Sequence, residues 1–197
     1  MYNRDYLIRA SRFLNEDTEE RIVANNDNIK RIVRDEIKRL GNKADLNHID
    51  VSDVTNMWGL FEGSDFNGDI SKWNVGNVEN MGGMFFNSKF NGDISNWDVS
   101  NVEVMSKMFS DSKFNQDISN WDVSNVKDMS GMFQNSQFNQ DISKWDLSRV
   151  KYKDAMFNES KRSRVKKVLM DETHYRKYKQ FLRERTDGRS PRRRRRY

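Results

Sequence analysis

Hydrophobic residues recur with a period of 24 residues through the middle of the chain. The motif Asp-Ile-Ser-x-Trp keeps this spacing in four copies, which begin at Asp69, Asp93, Asp117 and Asp141. A more divergent copy begins at Asp45 in the same register. A fixed period of this length is typical of proteins in which equivalent segments stack and each contacts only its neighbours. The pattern therefore predicts one structural unit, residues 45–160, built from about five repeats.

Each repeat contains the same order of apolar residues, I-x-x-W-x-V-x-x-V-x-x-M-x-x-M-F. The first half has the spacing of a leucine-rich repeat and predicts a short strand around Trp97 to Val99. The second half, Val102 to Phe109, keeps steps of three and four residues, which favour a helical turn. The predicted fold is an α/β repeat, a short right-handed solenoid of leucine-rich-repeat type. Its tryptophan, methionine and phenylalanine residues are expected to form buried columns. An exposed tryptophan ladder, binding sugars or bases, is the alternative.

Residues 1–44 are predicted to form a helical leader that caps the first repeat, because an open end of a stack exposes apolar side chains. Its apolar residues share one helical face: Ile29, Ile32, Val33, Ile37 and Leu40. Asp27 or Asn28 is expected to begin this helix, and Gly41 to end it. An earlier amphipathic stretch, residues 6–14, predicts a second short helix.

The C-terminal part is strongly basic. Residues 161–185 predict a basic helix that caps the last repeat, and residues 186–197 form an arginine-rich tail. The tail arginines are Arg189, Arg192, Arg193, Arg194, Arg195 and Arg196. Clustered arginine binds phosphate through charge and fork-shaped hydrogen bonding, so these residues are predicted to bind nucleic acid or to anchor the protein on an acidic protein surface. A solvated tail or a targeting signal explains the same composition.

The net charge of +5 hides three regions of different sign. Residues 1–44 hold 10 basic and 8 acidic residues, residues 45–157 hold 9 and 17, and residues 158–197 hold 16 and 5. Their net charges are therefore +2, −8 and +11. An acidic body with a basic tail indicates interaction with partners. One such interaction is head-to-tail assembly, in which the tail of one copy binds the acidic body of the next.

The outward positions of the predicted strand form candidate protein-binding columns. An acidic stripe comprises Asp50, Asn74, Asp98, Asp122 and Asp146. Two positions before it, a second column comprises Lys72, Asn96, Asn120 and Lys144, with His48 in the first repeat. The stripe is predicted either to bind a basic protein partner or to accept local backbone hydrogen bonds that sustain turns. The aspartates that open each Asp-Ile-Ser-x-Trp motif are expected to support turns. Their spacing matches no calcium-binding loop, so neither metal nor cofactor is predicted.

The repeat sequence MFxxSxFNxDISxWDVSNVxxM resembles the repeats of BspA-like leucine-rich-repeat surface proteins and the related mycoplasma-type lipoprotein repeat of unknown function. The resemblance covers residues 45–160 and implies a leucine-rich-repeat-like solenoid with a binding role, usually at a cell surface. Similar repeats are carried by some large viruses and phages.

Catalytic motifs are missing from the sequence. It has no cysteine, and His48 and His174 lie in no nucleophile, metal or phosphate-loop motif. The sequence therefore predicts no enzyme and no small-molecule substrate. The residues from Met1 to Asp5 do not resemble the start of a signal peptide, and no apolar run reaches the roughly 18 residues of a membrane span, so an intracellular or virion-associated location is expected.

The predicted function is a non-enzymatic repeat scaffold. It would dock protein partners, including other subunits, within a larger assembly such as a virus or phage particle, with the arginine tail as an anchor. A nucleic-acid-binding protein that acts through the tail is the first alternative. An adhesin-like surface recognition protein is the second.

Overall fold

The computed structural model describes residues 21–157. The second leader helix, the basic helix 161–185 and the tail 186–197 are predictions that lie outside these residues. The regular elements of residues 21–157 are strand β1 (Ile22–Val23), helix α1 (Ile29–Leu40) and strand β2 (Ile49–Asp50). β1 pairs in parallel with β2, with Ile22 opposite Ile49.

Helix α1 has the predicted bounds. Asn28 precedes it as the N-cap residue, and Gly41 ends it with a φ of 90°, a backbone conformation that favours glycine. The Gly41 N–H donates to the carbonyl oxygen of Ile37 at 2.7 Å. Ile29, Ile32 and Val33 are buried in the same core as the first repeat. The helix and its buried apolar face are therefore as the apolar spacing predicts, and the assignment of residues 1–44 as a cap stays a prediction.

Successive repeats lie side by side in parallel register. We number them repeat 1 (residues 45–68), repeat 2 (69–92), repeat 3 (93–116), repeat 4 (117–140) and repeat 5 (from 141). Isolated parallel bridges join residues that are 24 positions apart: Asp45 with Asp69, Asn56 with Asn80, Asn80 with Val104, Val104 with Asp128, and Asp128 with Tyr152. The assignment of this stack to a right-handed solenoid of leucine-rich-repeat type stays a prediction.

In the second half of each repeat, alternate backbone N–H groups donate to the next repeat. In repeat 3, Met105 donates to the Asp128 carbonyl at 2.8 Å and Phe109 donates to the Met132 carbonyl at 2.9 Å. Between them Lys107, with a φ of 54°, adopts a left-handed conformation. A helix would need these N–H groups for bonds within the segment. The predicted helical turn over Val102 to Phe109 is therefore replaced by linked turns.

The predicted strand around Trp97 to Val99 is not formed as a regular strand, and these residues lie between two turns. The Trp97 N–H donates to the Ile94 carbonyl at 3.2 Å, and the Val102 N–H donates to the Val99 carbonyl at 2.9 Å. Between these turns, the Asp98 carboxylate accepts the Ser100 N–H at 3.1 Å. Local turns thus take the donors that a regular strand would share with its neighbours.

Buried aromatic columns run through the stack. The Phe109 ring lies 5.6 Å from that of Phe85 and 5.8 Å from that of Phe133, with the rings nearly parallel. The other apolar column positions are also enclosed, and burial of one such aromatic side chain stabilises the fold by about 2–3 kcal/mol. This confirms the predicted phenylalanine and methionine columns.

The tryptophan column belongs to the core. Trp73, Trp97 and Trp121 are each 4 % exposed and Trp145 is 6 % exposed. Each indole N–H donates to a main-chain carbonyl of the preceding repeat; that of Trp121 reaches the Ile94 carbonyl oxygen at 3.1 Å. Tryptophan thus fills the core and satisfies a buried acceptor at the same time. The prediction of a core position is confirmed, and the exposed ladder is wrong.

A side chain of the N-terminal cap replaces a missing repeat. In repeats 2 and 3, the N–H groups of Glu79 and Glu103 donate to the main-chain carbonyl of the residue 24 positions earlier, at 2.8 Å. Repeat 1 has no preceding repeat. There the Asn26 side-chain oxygen accepts the N–H groups of Thr55 and Asn56, at 2.9 and 3.0 Å. The cap therefore reproduces the backbone chemistry of a repeat with one amide.

Candidate interaction surfaces

The acidic stripe lies on the surface in repeats 2 to 5. Asn74, Asp98, Asp122 and Asp146 are exposed, as the alternation of apolar residues predicts. The second column is exposed beside it at Lys72, Asn96, Asn120 and Lys144. Because the repeats are in parallel register, each of these positions recurs once per repeat and forms a column along the stack.

Each aspartate of the stripe also supports a turn. Asp98, Asp122 and Asp146 accept the N–H of the serine two residues later, at 3.1, 3.0 and 2.9 Å. The Ser100 hydroxyl adds a second bond to Asp98 at 2.6 Å. The turn interpretation made from the sequence is therefore confirmed for these side chains. A turn role and an exposed carboxylate are compatible, since each carboxylate has more acceptor sites than the serine occupies.

Hydrogen bonds keep the stripe ionised. The Ser100 hydroxyl and then its N–H lower the pKa of Asp98, and Ser124 lowers the pKa of Asp122 in the same order. The charge of the neighbouring aspartate raises both pKa values by a smaller amount. Bonds that favour the charged form thus prevail over the repulsion between stacked like charges. The stripe is negatively charged throughout the neutral pH range.

The aspartates that open the repeats form a second acidic column. Each accepts the N–H of the serine two residues later, at 2.8 or 2.9 Å, and the four residues are Asp69, Asp93, Asp117 and Asp141. Serine N–H groups and hydroxyls lower the pKa of Asp93, and Lys144 makes a smaller contribution to the lowered pKa of Asp117.

Asp50 differs from the other members of the stripe. Its side chain is 16 % exposed, and the Arg21 guanidinium lies 3.2 Å from its carboxylate. The Ser52 hydroxyl and N–H, and to a smaller extent Arg21, hold the pKa of Asp50 below its ordinary value. His48, expected to face outward, is likewise enclosed and contacts Glu36 of α1 at 3.0 Å. The N-terminal cap covers the stripe at repeat 1, so the accessible stripe begins in repeat 2.

A polar groove lies on a neighbouring set of columns. It has a volume of about 430 Å³ and is lined by Asn77, Glu79, Asn101, Glu103 and Asn125. The sequence analysis missed this groove because its asparagines resemble ordinary turn residues. One signal was present in the sequence. The column that holds Glu79 and Glu103 changes sign along the stack and continues as Lys127 and Lys151.

The tail arginines Arg189 and Arg192 to Arg196 lie outside the residues that the structure describes. Over residues 21–157, no group of three or more histidine, aspartate or glutamate residues is arranged to hold a metal ion. The same residues include no helix with the length and apolar character of a membrane span.

Comparison with protein families identifies one family that matches the repeats. A family described as "Mycoplasma protein of unknown function, DUF285" matches residues 27–113 and residues 110–183. No curated protein and no solved structure is significantly similar to the chain. The two matches together span more than half of the sequence and confirm the predicted resemblance to a mycoplasma-type repeat. The chain therefore belongs to the DUF285 family of mycoplasma-type repeat proteins, whose function is unknown.

Proposed function

We propose that this protein is a non-enzymatic interaction scaffold whose acidic stripe docks a basic protein partner within a larger assembly. The observation that carries the proposal is the exposed series Asp98, Asp122 and Asp146, in which each carboxylate is held in place by a serine N–H. Side chains that are already ordered lose less conformational freedom when a partner binds.

The charge distribution favours one docking position. In the column beside the stripe, Lys72 and Lys144 bracket the uncharged Asn96 and Asn120. The negative potential is therefore expected to be greatest over repeats 3 and 4 and to be reduced at both ends by the lysines. Potential of one sign attracts a partner of the opposite sign, and the flanking like charges disfavour other registers.

The state of the carboxylates supports a binding role over a catalytic one. A general acid or base works best when its pKa lies near the operating pH. The pKa values of Asp98 and Asp122 are instead lowered from an ordinary value that is already acidic. These groups remain charged at neutral pH, which suits electrostatic docking.

The test uses the full-length chain and a synthetic oligolysine as a basic probe. In the triple variant Asp98→Asn, Asp122→Asn and Asp146→Asn, the amide oxygens can still accept the serine N–H groups. Asn74 shows that an amide fits this position, since it accepts the Gly76 N–H at 3.3 Å. We expect oligolysine affinity, measured by calorimetry at low salt, to fall at least about tenfold, because three charges leave the docking surface.

A control variant removes three exposed charges elsewhere: Glu62→Gln, Asp65→Asn and Asp154→Asn. We expect it to change the affinity less than about threefold, since only the general charge of the protein changes. Equal losses in the two variants would mean that oligolysine responds to net charge alone and that the stripe is no docking surface.

Nucleic-acid binding is the second candidate function, favoured by the net charge of +11 on residues 158–197. In this case the arginine tail binds phosphate groups and the repeats recruit a protein. The affinity of the full-length chain for DNA or RNA would then fall steeply as salt rises, with a slope that reports the number of phosphate contacts. Lack of binding even at low salt would leave protein partners only.

A further inference from the structure

We propose that the polar groove on repeats 2 to 4 is the docking site for the chain's own arginine run, Arg192–Arg196. The groove consists of Asn77, Glu79, Asn101, Glu103 and Asn125, none of which belongs to the acidic stripe. This inference goes beyond the proposed scaffold function and can fail independently of it.

The asparagines of the groove have a fixed orientation. The side-chain N–H groups of Asn77, Asn101 and Asn125 donate to main-chain carbonyls of the preceding repeat at 2.9, 2.7 and 2.7 Å. Their side-chain oxygens are thereby left as acceptors, one per repeat. With the carboxylates of Glu79 and Glu103, the groove presents hydrogen-bond acceptors to a donor that enters it.

Two contacts within the chain show which donors fit these acceptors. The Arg149 guanidinium donates to the side-chain oxygen of Asn125 at 2.7 Å. The Lys127 ammonium lies 2.5 Å from the Glu103 carboxylate. Each cation comes from the repeat that follows its acceptor, 24 positions later in the sequence. The C-terminal part of the groove is thus already filled by basic side chains.

The other part of the groove lacks such cations. The residues 24 positions after Asn77, Glu79 and Asn101 are an asparagine, a glutamate and an asparagine. Among the described residues, the side-chain oxygens of Asn77 and Asn101 and the Glu79 carboxylate receive no donor. Asn77, Glu79 and Asn101 are therefore acceptors of the kinds that Arg149 and Lys127 use farther along the stack, with no basic side chain to occupy them.

Arginine matches these acceptors better than lysine does. A guanidinium holds five N–H donors in a rigid plane and can bond an amide oxygen and a carboxylate together. Lysine presents a single point charge.

The arginine run can reach the groove of its own chain. Arg192 lies 35 positions after Phe157, the last described residue. Even with residues 161–185 helical, as predicted, a segment of that length spans up to about 70 Å, whereas five stacked repeats extend for only about 25 Å. The charge of +11 on residues 158–197 complements the charge of −8 on residues 45–157. Because tail and groove belong to one chain, the effective concentration of the tail at the groove is about millimolar.

The experiment places a nitroxide label at the end of the tail. The chain has no cysteine, so Tyr197→Cys gives a full-length protein with one labelling site. We expect paramagnetic broadening of backbone amide signals at Asn77, Glu79 and Asn101 in nuclear magnetic resonance spectra. Signals on other columns, such as Lys89 and Lys113, are expected to remain sharp. The broadening is expected to disappear when Glu79→Gln and Glu103→Gln are introduced together.

Two matched controls keep the outcome specific. Glu62→Gln with Asp65→Asn removes the same charge from exposed positions outside the groove and is expected to leave the broadening unchanged. Asp98→Asn with Asp122→Asn is expected to leave it unchanged too, which separates this inference from the acidic stripe. Broadening centred on the stripe, or none at all, would overturn the proposal. A mixture of isotope-labelled chains without nitroxide and nitroxide-labelled chains without isotope reports contacts between copies. Equal broadening in this mixture would assign the contact to a second copy and would also overturn the proposal.

Discussion

Repeat 1 and repeats 2 to 4 have the same interior and different junctions. Phe61 of repeat 1 is as deeply buried as Phe109 of repeat 3. At the tryptophan position, however, repeat 1 has Ile49, and at its backbone junction it receives the Asn26 side chain in place of a main-chain carbonyl. The divergent sequence of repeat 1 is therefore an adaptation to its position next to the cap.

The surface of repeat 1 shows the same adaptation. Trp58 is 47 % exposed and occupies a position where the later repeats have Gly82, Ser106 and Ser130. A Cβ atom on Gly82 would lie only 2.5 Å from the Trp58 ring. Glycine in repeat 2 thus makes room for the tryptophan of repeat 1. The comparison shows that the buried residues are similar in every repeat. Residues that depart from the repeat pattern make contacts that occur at one boundary only.

The largest expected effect tests the shared interior. Phe109→Ala is expected to lower the free energy of unfolding by about 3–5 kcal/mol, because it removes a fully buried ring from a stacked column. Phe61→Ala should cost a similar amount if repeat 1 has the same interior. Urea unfolding followed by circular dichroism measures both. Phe86→Ala is the control, and its loss should be smaller because Phe86 is partly exposed. A much smaller loss for Phe61→Ala than for Phe109→Ala would break the comparison.

The second prediction concerns the indole hydrogen bond between repeats, which repeat 1 lacks because it has Ile49 at the tryptophan position. Trp121→Phe keeps an aromatic ring but removes the indole N–H that bonds the Ile94 carbonyl, which then keeps only the Trp97 N–H as its donor. We expect a loss of about 1–2 kcal/mol in the free energy of unfolding, from the lost hydrogen bond and from the smaller buried ring. Trp58→Phe is the matched control and should change stability by less than about 0.5 kcal/mol, as is usual at exposed positions. Equal effects of the two substitutions would show that the buried hydrogen bond contributes nothing.

The junction specific to repeat 1 has a smaller expected effect. Asn26→Ala removes the acceptor for the N–H groups of Thr55 and Asn56 and should cost about 1 kcal/mol, because these groups lie near solvent. Amide hydrogen exchange should accelerate at Thr55 and Asn56 and stay unchanged at Glu103 and Val104. Asn42→Ala serves as the control on the same cap. Unchanged exchange at Thr55 would mean that Asn26 does not replace a repeat.

Acidification is expected to have the smallest effect on stability per residue. The pKa values of Asp98 and Asp122 are lower in the folded protein than in the unfolded chain, so their stabilisation is present above the unfolded pKa. It is lost as the pH falls through the folded values, beginning below about pH 5. The melting temperature should therefore decline from neutral pH into acid. Asp98→Asn should have a shallower decline. A melting temperature that rises below pH 4 would contradict this assignment.

The sequence predicted the features that depend on spacing alone. The 24-residue period located the repeats, the apolar spacing gave the bounds of α1, and the recurring tryptophan identified a core column. The family resemblance followed from the repeat motif and is confirmed by the two family matches. These predictions succeeded because burial of the same side chain in every repeat leaves a periodic record in the sequence.

Local structure within a repeat could not be predicted in the same way. The strand at Trp97 to Val99 has the right alternation, but Asp98 and Ser100 divert its donors into a turn. Lys107 has a left-handed backbone conformation that a lysine in the sequence does not indicate. The glycines at the equivalent position of other repeats, Gly59, Gly83 and Gly131, do indicate it. The sequence likewise located the exposed stripe but missed the polar groove, since adjacent repeats must come together before the groove exists.

The direction of the bonds between repeats determines how the protein could change in length. Met57, Met81 and Met105 each donate forward to the next repeat, so the internal boundaries share the same backbone hydrogen bonds. Duplicating repeat 3 or repeat 4 as a whole would restore the same backbone hydrogen bonds at its boundaries, whereas an insertion of a single residue would misalign every later repeat. Relatives with longer stacks could thus arise by the gain of whole repeats, with both ends of the protein unchanged.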